Sequence, residues 1–280
     1  MPKFDTWDEQ CKFYEKNFCA NYLMPTVPAL CRVDGRSFHN FTKGLKRPFD
    51  SGLSALMVET ARFLVEETHC QWAFVQSDEI SLCWYSNDPL QMIFFDGKSQ
   101  KIVSQTASLA TYFFNKNIER YIPEKKSVPA LFDSRCWNVP SLEEALIYAK
   151  WRQKDATKNA VSMAAQSKFS HKDLDGVNTK SKQEMLYSVG INFNDYPVPF
   201  KRGTFIRRIK RNTPFTTEEI EALPPKHQAR TNPDLVVERT VVECVDVPQL
   251  TKMQNPIGFL FRGEDPVLCN ISKETYVENN

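Results

Sequence analysis

The sequence predicts an α+β fold built on a split βαβ unit. It is ferredoxin-like in order, with two helices on one face of an antiparallel sheet and a mixed helical and strand region after it. Three observations predict this. Apolar residues gather in short strand-type runs at 29–34, 72–76, 80–85 and 130–139. Between them, the stretches from Ser51 and from Ser99 carry apolar residues at the i, i+3, i+4, i+7 spacing of amphipathic helices. The order is therefore strand, helix, strand, strand, helix, strand.

Composition sets the outer limits. At 280 residues, 41% hydrophobic and 25% charged, the chain is long enough for one large or two ordinary domains with real cores. Lys+Arg 36 against Asp+Glu 34 leaves only +2, so any attraction to nucleic acid has to come from local clustering of charge. Residues 1–9 lack the apolar core of a secretory signal and no later run approaches a membrane span, so a cytosolic protein without membrane contact is expected. Eight cysteines without a C-x-x-C pair read as reduced, buried thiols rather than zinc ligands or disulfides.

Residues 9–22 read as a helix. Pro25 and Pro28 lead into the first strand, whose alternation puts Leu30, Arg32 and Asp34 on one side and Cys31 and Val33 on the other, and Asp34-Gly35 ends it. The loop 42–50 is basic, with Lys43, Lys46 and Arg47, and Pro48 stops any helix there. The first crossover helix then starts from Asp50 or Ser51 as cap, with Leu53, Leu56, Met57, Thr60, Ala61 and Leu64 on its stripe. Strands 72–76 and 80–85 are separated only by Ser77-Asp78-Glu79, which places those acids at a tight hairpin turn. The second crossover helix spans 99–121 and the fourth strand 130–139.

Beyond Pro140, Ser141-Leu142-Glu143-Glu144 reads as a capping box opening a long helix through Trp151 and Asn159 towards Gln166. A helix at 180–188 and a strand running into a turn at 190–197 follow. Residues 200–211 hold six basic side chains, the chain's one dense positive patch. A short helix at 217–223 sits among prolines, a Val-rich strand spans 235–247, and the end beyond Tyr276 is expected to fray.

In a split βαβ sheet the end of the first strand and the turn of the second hairpin are neighbours, so Asp34 and Asp78 can meet. Alone, an Asp-Gly pair or an acidic turn is only a turn. Together they read as a site for divalent metal and nucleoside triphosphate. Mg²⁺ takes hard oxygens, typically one or two carboxylates plus phosphates and water; Asp34 and Asp78 supply the carboxylates and the Gly35 carbonyl a third protein oxygen. His39, between Phe38 and Phe41, reads equally well as structural. Lys46, Arg47, Arg152 and Lys154 are solvated charges unless the fold brings them to the acids, where they become phosphate ligands.

The motifs Arg32-x-Asp34-Gly35-Arg36-x-Phe38-His39-x-Phe41, Ser77-Asp78-Glu79, Phe132-Asp133-Ser134-Arg135, Trp151-Arg152-Gln153-x-Asp155, and Gly190-Ile191-Asn192-Phe193-Asn194-Asp195 with Lys201-Arg202-Gly203 follow in order along the chain. This series resembles the tRNA-histidine guanylyltransferase family. The resemblance implies a polymerase-like palm over 1–140, run backwards. Nucleotides join the 5′ end of tRNA in the 3′-to-5′ direction after ATP or GTP activates the 5′ phosphate. It implies that Asp34, Gly35 and Asp78 hold two Mg²⁺ ions, with Glu79 beside them as a further catalytic acid. It assigns nucleotide binding to Arg32, Arg36, Ser37, Phe38, His39, Lys46, Arg47, Ser77 and Asn159. The region 141–280 would contact tRNA and triphosphate, with Arg152, Lys154, Lys182, Lys201, Arg202, Arg207, Arg208, Lys210 and Arg211 on tRNA. Family members are usually tetramers, so a homo-oligomer is expected.

One stretch departs from the family. Eukaryotic members carry His-Ile-Asn-Asn-Leu-Tyr-Asn where this chain has Thr157-Lys158-Asn159-Ala160-Val161-Ser162-Met163. Ala160, Val161 and Met163 cannot read a base edge by hydrogen bonding. The departure is similar to the Thg1-like branch, which repairs 5′-truncated tRNAs by templated pairing. Two other classes compete: a nucleotidyl cyclase acting on free triphosphate, and a non-catalytic RNA-binding tRNA-processing factor. The Trp151 helix and the basic stretch are superfluous to a cyclase, and an acid cluster without metal would repel RNA.

Overall fold

A computed structural model of the chain describes residues 21–269 except 25, 89, 233, 247 and 248, together with positions 6, 9, 11 and 12. The helix expected at 9–22 falls largely outside these residues, and the end beyond Tyr276 entirely so.

β1 (Ala29–Gly35) is buried at its start and opens towards its end at Asp34 and Gly35. A one-turn helix, α1 (Phe38–Phe41), follows, and then α2 (Ser51–Thr68), capped by Asp50, whose Oδ1 accepts a hydrogen bond from the Leu53 amide at 2.8 Å. β2 (Trp72–Gln76) and β3 (Glu79–Trp84) form a hairpin in which Glu79 is already a strand residue, leaving Ser77 and Asp78 as the turn. Ser77 takes the left-handed conformation that such a turn demands, at φ 54°. α3 (Ser99–Tyr121) and β4 (Phe132–Asn138) complete the unit.

The sheet has six antiparallel strands in the order β4-β1-β3-β2-β5-β6, so its first four strands have the expected split βαβ order. β5 (Thr204–Pro214) and β6 (Val236–Val245) extend it past β2. α4 (Leu142–Gln166) opens on Ser141, whose side chain accepts from the Glu144 amide at 3.3 Å, the Ser half of the expected capping box. α5 (His171–Leu174), α6 (Thr179–Ser188), α7 (Val198–Arg202), α8 (Thr217–Ala222) and α9 (Pro256–Phe261) are short. The strand expected within 190–197 is a 3₁₀ turn, Phe193–Asp195, because the Asn192 side chain accepts from the Asn194 amide at 3.0 Å and draws the backbone out of an extended path.

The alternation read along β1 separates two cores. Cys31 and Val33 face Leu56, Met57, Ala61, Leu64, Ile102, Ala110 and Phe114, placing α2 and α3 on one side of the sheet. Leu30 lies with Trp72, Phe74, Phe205, Leu146, Ala149 and Ala156, placing α4 on the other. At the far end of α4, Ala160, Val161, Ala164 and Ala165 form a third cluster with Leu174, Leu186 and Phe193.

Seven cysteines fall among the described residues and none is in a disulfide. Cys31, Cys70 and Cys83 are buried as expected, whereas Cys11, Cys244 and Cys269 are exposed. Burial pushes the Cys31 thiol up to about 11 and that of Cys70 to about 12. Among the described residues no helix is long and apolar enough to cross a membrane.

Candidate active site

Antiparallel register assembles the site. Asp34 on β1 is opposite Glu79 on β3 and Asp133 on β4, while Arg32 is opposite Ser81 and Arg135. Directly opposed residues share a sheet face. The α4 side of the sheet end thus carries a row of acids beside a row containing two arginines. Arg32 lies 3.9 Å from Asp34 and 3.7 Å from Glu79; Arg135 lies 3.6 Å from both Asp34 and Asp133. From α4, the buried Arg152 pairs with Glu79 and, at 3.3 Å, with Asp155.

The hairpin turn is tied to β1 by the backbone, the Gly35 amide donating to the Asp78 carbonyl at 3.0 Å. Asp78 therefore meets Asp34 across the sheet end. Burial raises the Asp78 carboxyl above its ordinary value, and the negative charge of Asp34 raises it further. Gly35 needs to be glycine for a packing reason: a Cβ there would stand 2.4 Å from the Phe38 ring. That ring is fixed by Phe41, Phe114 and Phe132 at centroid distances of 4.9, 5.7 and 5.2 Å.

Two adjoining cavities open here. One, of about 460 Å³, is lined by Gly35, Ser37, Phe38, His39, Lys46, Arg47, Ser77 and Asp78, among others. The other, of about 400 Å³, is lined by Asp34, Asp78, Glu79, Asp155, Asn159 and Ser162, among others. Ser77, Asp78, Met163 and Gln166 border both, so the two are lobes of one cleft with Asp78 at their junction.

The family model described as tRNAHis guanylyltransferase matches residues 8–140. The tRNA(His) guanylyltransferase of Saccharomyces cerevisiae is 30% identical over 205 residues, which is 66% of this chain and 84% of that protein. This chain belongs to the tRNA(His) guanylyltransferase family. A solved bacterial tRNA(His) guanylyltransferase-like protein in complex with ATP matches with a TM-score of 0.73 at 31% identity, covering 91% of this chain and 99% of that one. A bacterial tRNA(His) guanylyltransferase-like protein in complex with GTP matches with a TM-score of 0.67 at 30% identity, covering 89% and 95%.

Of the nucleotide residues that the family resemblance names, Ser37, Phe38, His39, Lys46, Arg47, Ser77 and Asn159 line the cleft. Arg36 is exposed outside both lobes, and Arg32 lies under the acids as their counter-charge. Glu79 is engaged by two arginines, unlike Asp78. Among the described residues, no three His, Cys, Asp or Glu side chains converge as a ready-made metal cage. The sequence reading gave Ser162 and Gln166 no site role, quoted Asp155 only within a family motif and Met163 only within the departure from the family. The signal was there: with Asn159 they fall at helical spacing, one stripe of α4 turned to the cleft.

The basic stretch needs correcting, even in a tRNA(His) guanylyltransferase relative. Lys201 and Arg202 end the short helix α7, and the other four basic residues lie on the strand β5, which sends alternate side chains to opposite faces, so the stretch does not make one patch. Arg207 is 1% exposed; it pairs with Glu243, donates to the Phe259 and Glu264 carbonyls at 2.8 and 2.7 Å, and lies over the Phe259 ring at 4.1 Å. It has no face to offer a tRNA phosphate. Lys201 is also buried, donating to the Asn194 carbonyl. Arg211 pairs with Glu243 and Asp265, and Lys210 with Glu238. Lys182 donates to Ser162 at 3.2 Å on the cleft wall, Lys154 is exposed on α4, and Arg202 and Arg208 are half-buried.

Proposed function

We propose that this chain adds nucleotides to the 5′ end of tRNA, building in the 3′-to-5′ direction after ATP or GTP activates the 5′ phosphate. The observation that carries this is the cleft. Asp34 and Asp78 border the same space as Ser37, His39, Lys46, Arg47 and Ser77, acids at one end and cations at the other. A triphosphate fits that polarity, its phosphates on Lys46 and Arg47 and its reacting end at the acids. The similarity to bacterial proteins solved with ATP and with GTP supports the same ligand class.

The donor set fits Mg²⁺. Asp34 and Asp78 are hard oxygen ligands, and the Asp78 carboxyl, raised first by burial and further by the charge of Asp34, is one that a cation would relieve. These two, with the Gly35 carbonyl, would hold the metal, which when bound would supply charge stabilisation at the transferring phosphate. Glu79, fixed by Arg32 and Arg152, holds β3 and α4 together beneath the acids and is best described as a positioning residue.

Nucleotide choice by a template rests on the α4 wall. Ala160 and Val161 turn into the helical cluster, so Met163 alone of the three apolar replacements faces the cleft, beside Asn159, Ser162 and Gln166. An apolar Met cannot select one base edge, which leaves selection to pairing with the opposite strand of the acceptor stem. Incubating the chain with labelled tRNAs that lack one 5′ nucleotide, with ATP, all four nucleotides and Mg²⁺, tests both parts. Addition that tracks the opposing base, C directing G and A directing U, is expected. G on every template refutes templating, and no addition to any tRNA refutes the function.

A further inference from the structure

We propose that a groove along α4 holds an unpaired stretch of the RNA substrate beside the reacting end, one base stacked on Trp151 and phosphates on Lys150, Lys154 and Lys158. The proposal rests on the function above, which makes the substrate a polyanion. Positions 147, 150, 151, 154 and 158 recur at helical spacing, so they form one stripe of α4 distinct from the one that faces the cleft. They line a cavity of about 860 Å³, larger than either lobe of the cleft.

Its chemistry is that of a single-strand groove. Trp151 is 50% exposed and Ile147 56%, although α4 has a buried face elsewhere for apolar side chains. The indole is braced: the Tyr148 ring lies 5.8 Å away and the Arg152 guanidinium 4.8 Å from its centroid. A braced, half-exposed indole is a platform on which any base can stack. Among the described residues Lys150, Lys154 and Lys158 make no ion pair, and their charges repeat about every 6 Å along the helix axis. The one acid in the groove, Asp155, is already engaged by Arg152 and by the Asn159 amide at 3.1 Å. The field along the groove is therefore positive, which favours a polyanion over an uncharged partner. Asp155 also borders the acid lobe of the cleft, so RNA in the groove lies next to the chemistry.

The test measures binding of a labelled 5′-truncated tRNA to the full chain over a range of salt, with GTP affinity measured in parallel. Trp151→Ala should weaken tRNA binding about tenfold, Trp151→Phe should recover most of it, and GTP affinity should stay at its original value. Lys150→Gln with Lys158→Gln, both surface changes, should weaken binding and flatten the dependence of log K on log salt by about one, at ~0.7 per phosphate for a single strand. Unchanged tRNA affinity and salt slope in both variants overturn the groove. A shift in oligomeric state for Trp151→Ala with tRNA affinity intact also overturns it, giving the face to a second copy of the chain. Failure of the function itself is read separately, as absence of nucleotide addition by the unmodified chain.

Discussion

Arg207 offers the cleanest separation of a structural from an RNA-binding arginine. Replacing it with Met keeps most of the aliphatic stem and removes the guanidinium. The loss leaves Glu243 without its buried partner and the Phe259 and Glu264 carbonyls without their donor. Breaking a buried ion pair by removing one partner costs about 3–5 kcal/mol. Glu243 keeps a contact to Arg211 at 3.5 Å and is itself partly exposed, so the lower half of that range applies. At about 2–4 °C per kcal/mol, the midpoint of thermal unfolding should fall by roughly 6 to 16 °C. Lys210→Gln is the control: its pair with Glu238 is solvent-exposed on both sides and is worth about 0–1 kcal/mol. Calorimetry or urea titration reads stability, and tRNA binding is scored per folded molecule at low temperature. A variant with the original midpoint but weakened tRNA affinity would refute the core assignment and return Arg207 to the RNA surface.

Asp34→Ala and Asp78→Ala should each abolish nucleotide addition while circular dichroism stays unchanged; a folded, fully active variant in Mg²⁺ sinks the metal assignment. Gly35→Ala should cost about 1–3 kcal/mol, measured by denaturant midpoint, because the new Cβ meets a Phe38 ring that three other rings hold in place. In the native protein, iodoacetamide at neutral pH should label Cys244 and Cys269 well before Cys31 and Cys70, because the thiolate is the reactive form and burial holds the latter two far from it. Mass mapping after a short pulse decides that. Stability should also carry an acid-range slope from Glu219, which Arg239 holds down at about 2. With a folded value below the unfolded one, its contribution is present above about pH 4.5 and lost as pH falls towards 2, so Glu219→Gln should flatten the acid limb of a stability-versus-pH curve.

Much of the fold was legible because its elements carry strong local signals. Asp50 caps α2 with its own side chain, and the apolar stripe of 99–121 is the stripe of α3 that packs on the sheet. The meeting of Asp34 and Asp78 followed from strand order alone. What sequence concealed was the partnering of charge. Residues 200–211 look like a polyanion surface only while Glu238, Glu243 and Asp265, the acids that neutralise them, lie out of view further along the chain. Arginine also hides a strand: Arg207 behaves as a core residue of β5 because every part of its guanidinium is paired or stacked. At 190–197 the error was local, an Asn side chain capturing a backbone amide that an extended chain would have left free.

The segment from Trp151 to Asp155 explains how a site on one half of the chain is held by the other. Successive residues on a helix point in directions about 100° apart, so five residues of α4 reach the sheet, the C-terminal segment, the cleft and the outer groove. Arg152 reaches Glu79 on β3, Gln153 accepts the Leu250 amide at 2.8 Å, Asp155 stands between the acid lobe and the outer groove, and Trp151 and Lys154 line the groove. A turn later Asn159 donates back to Asp155. Moving α4 along its axis by even one residue would break the Glu79 pair and the Leu250 contact together. The position of this helix is therefore tied to Glu79, which stands opposite Asp34 in the sheet and is held by Arg152 on one side and Arg32 on the other. If RNA seats on the outer groove as proposed, a held α4 would hold Glu79 in place as well, through Arg152.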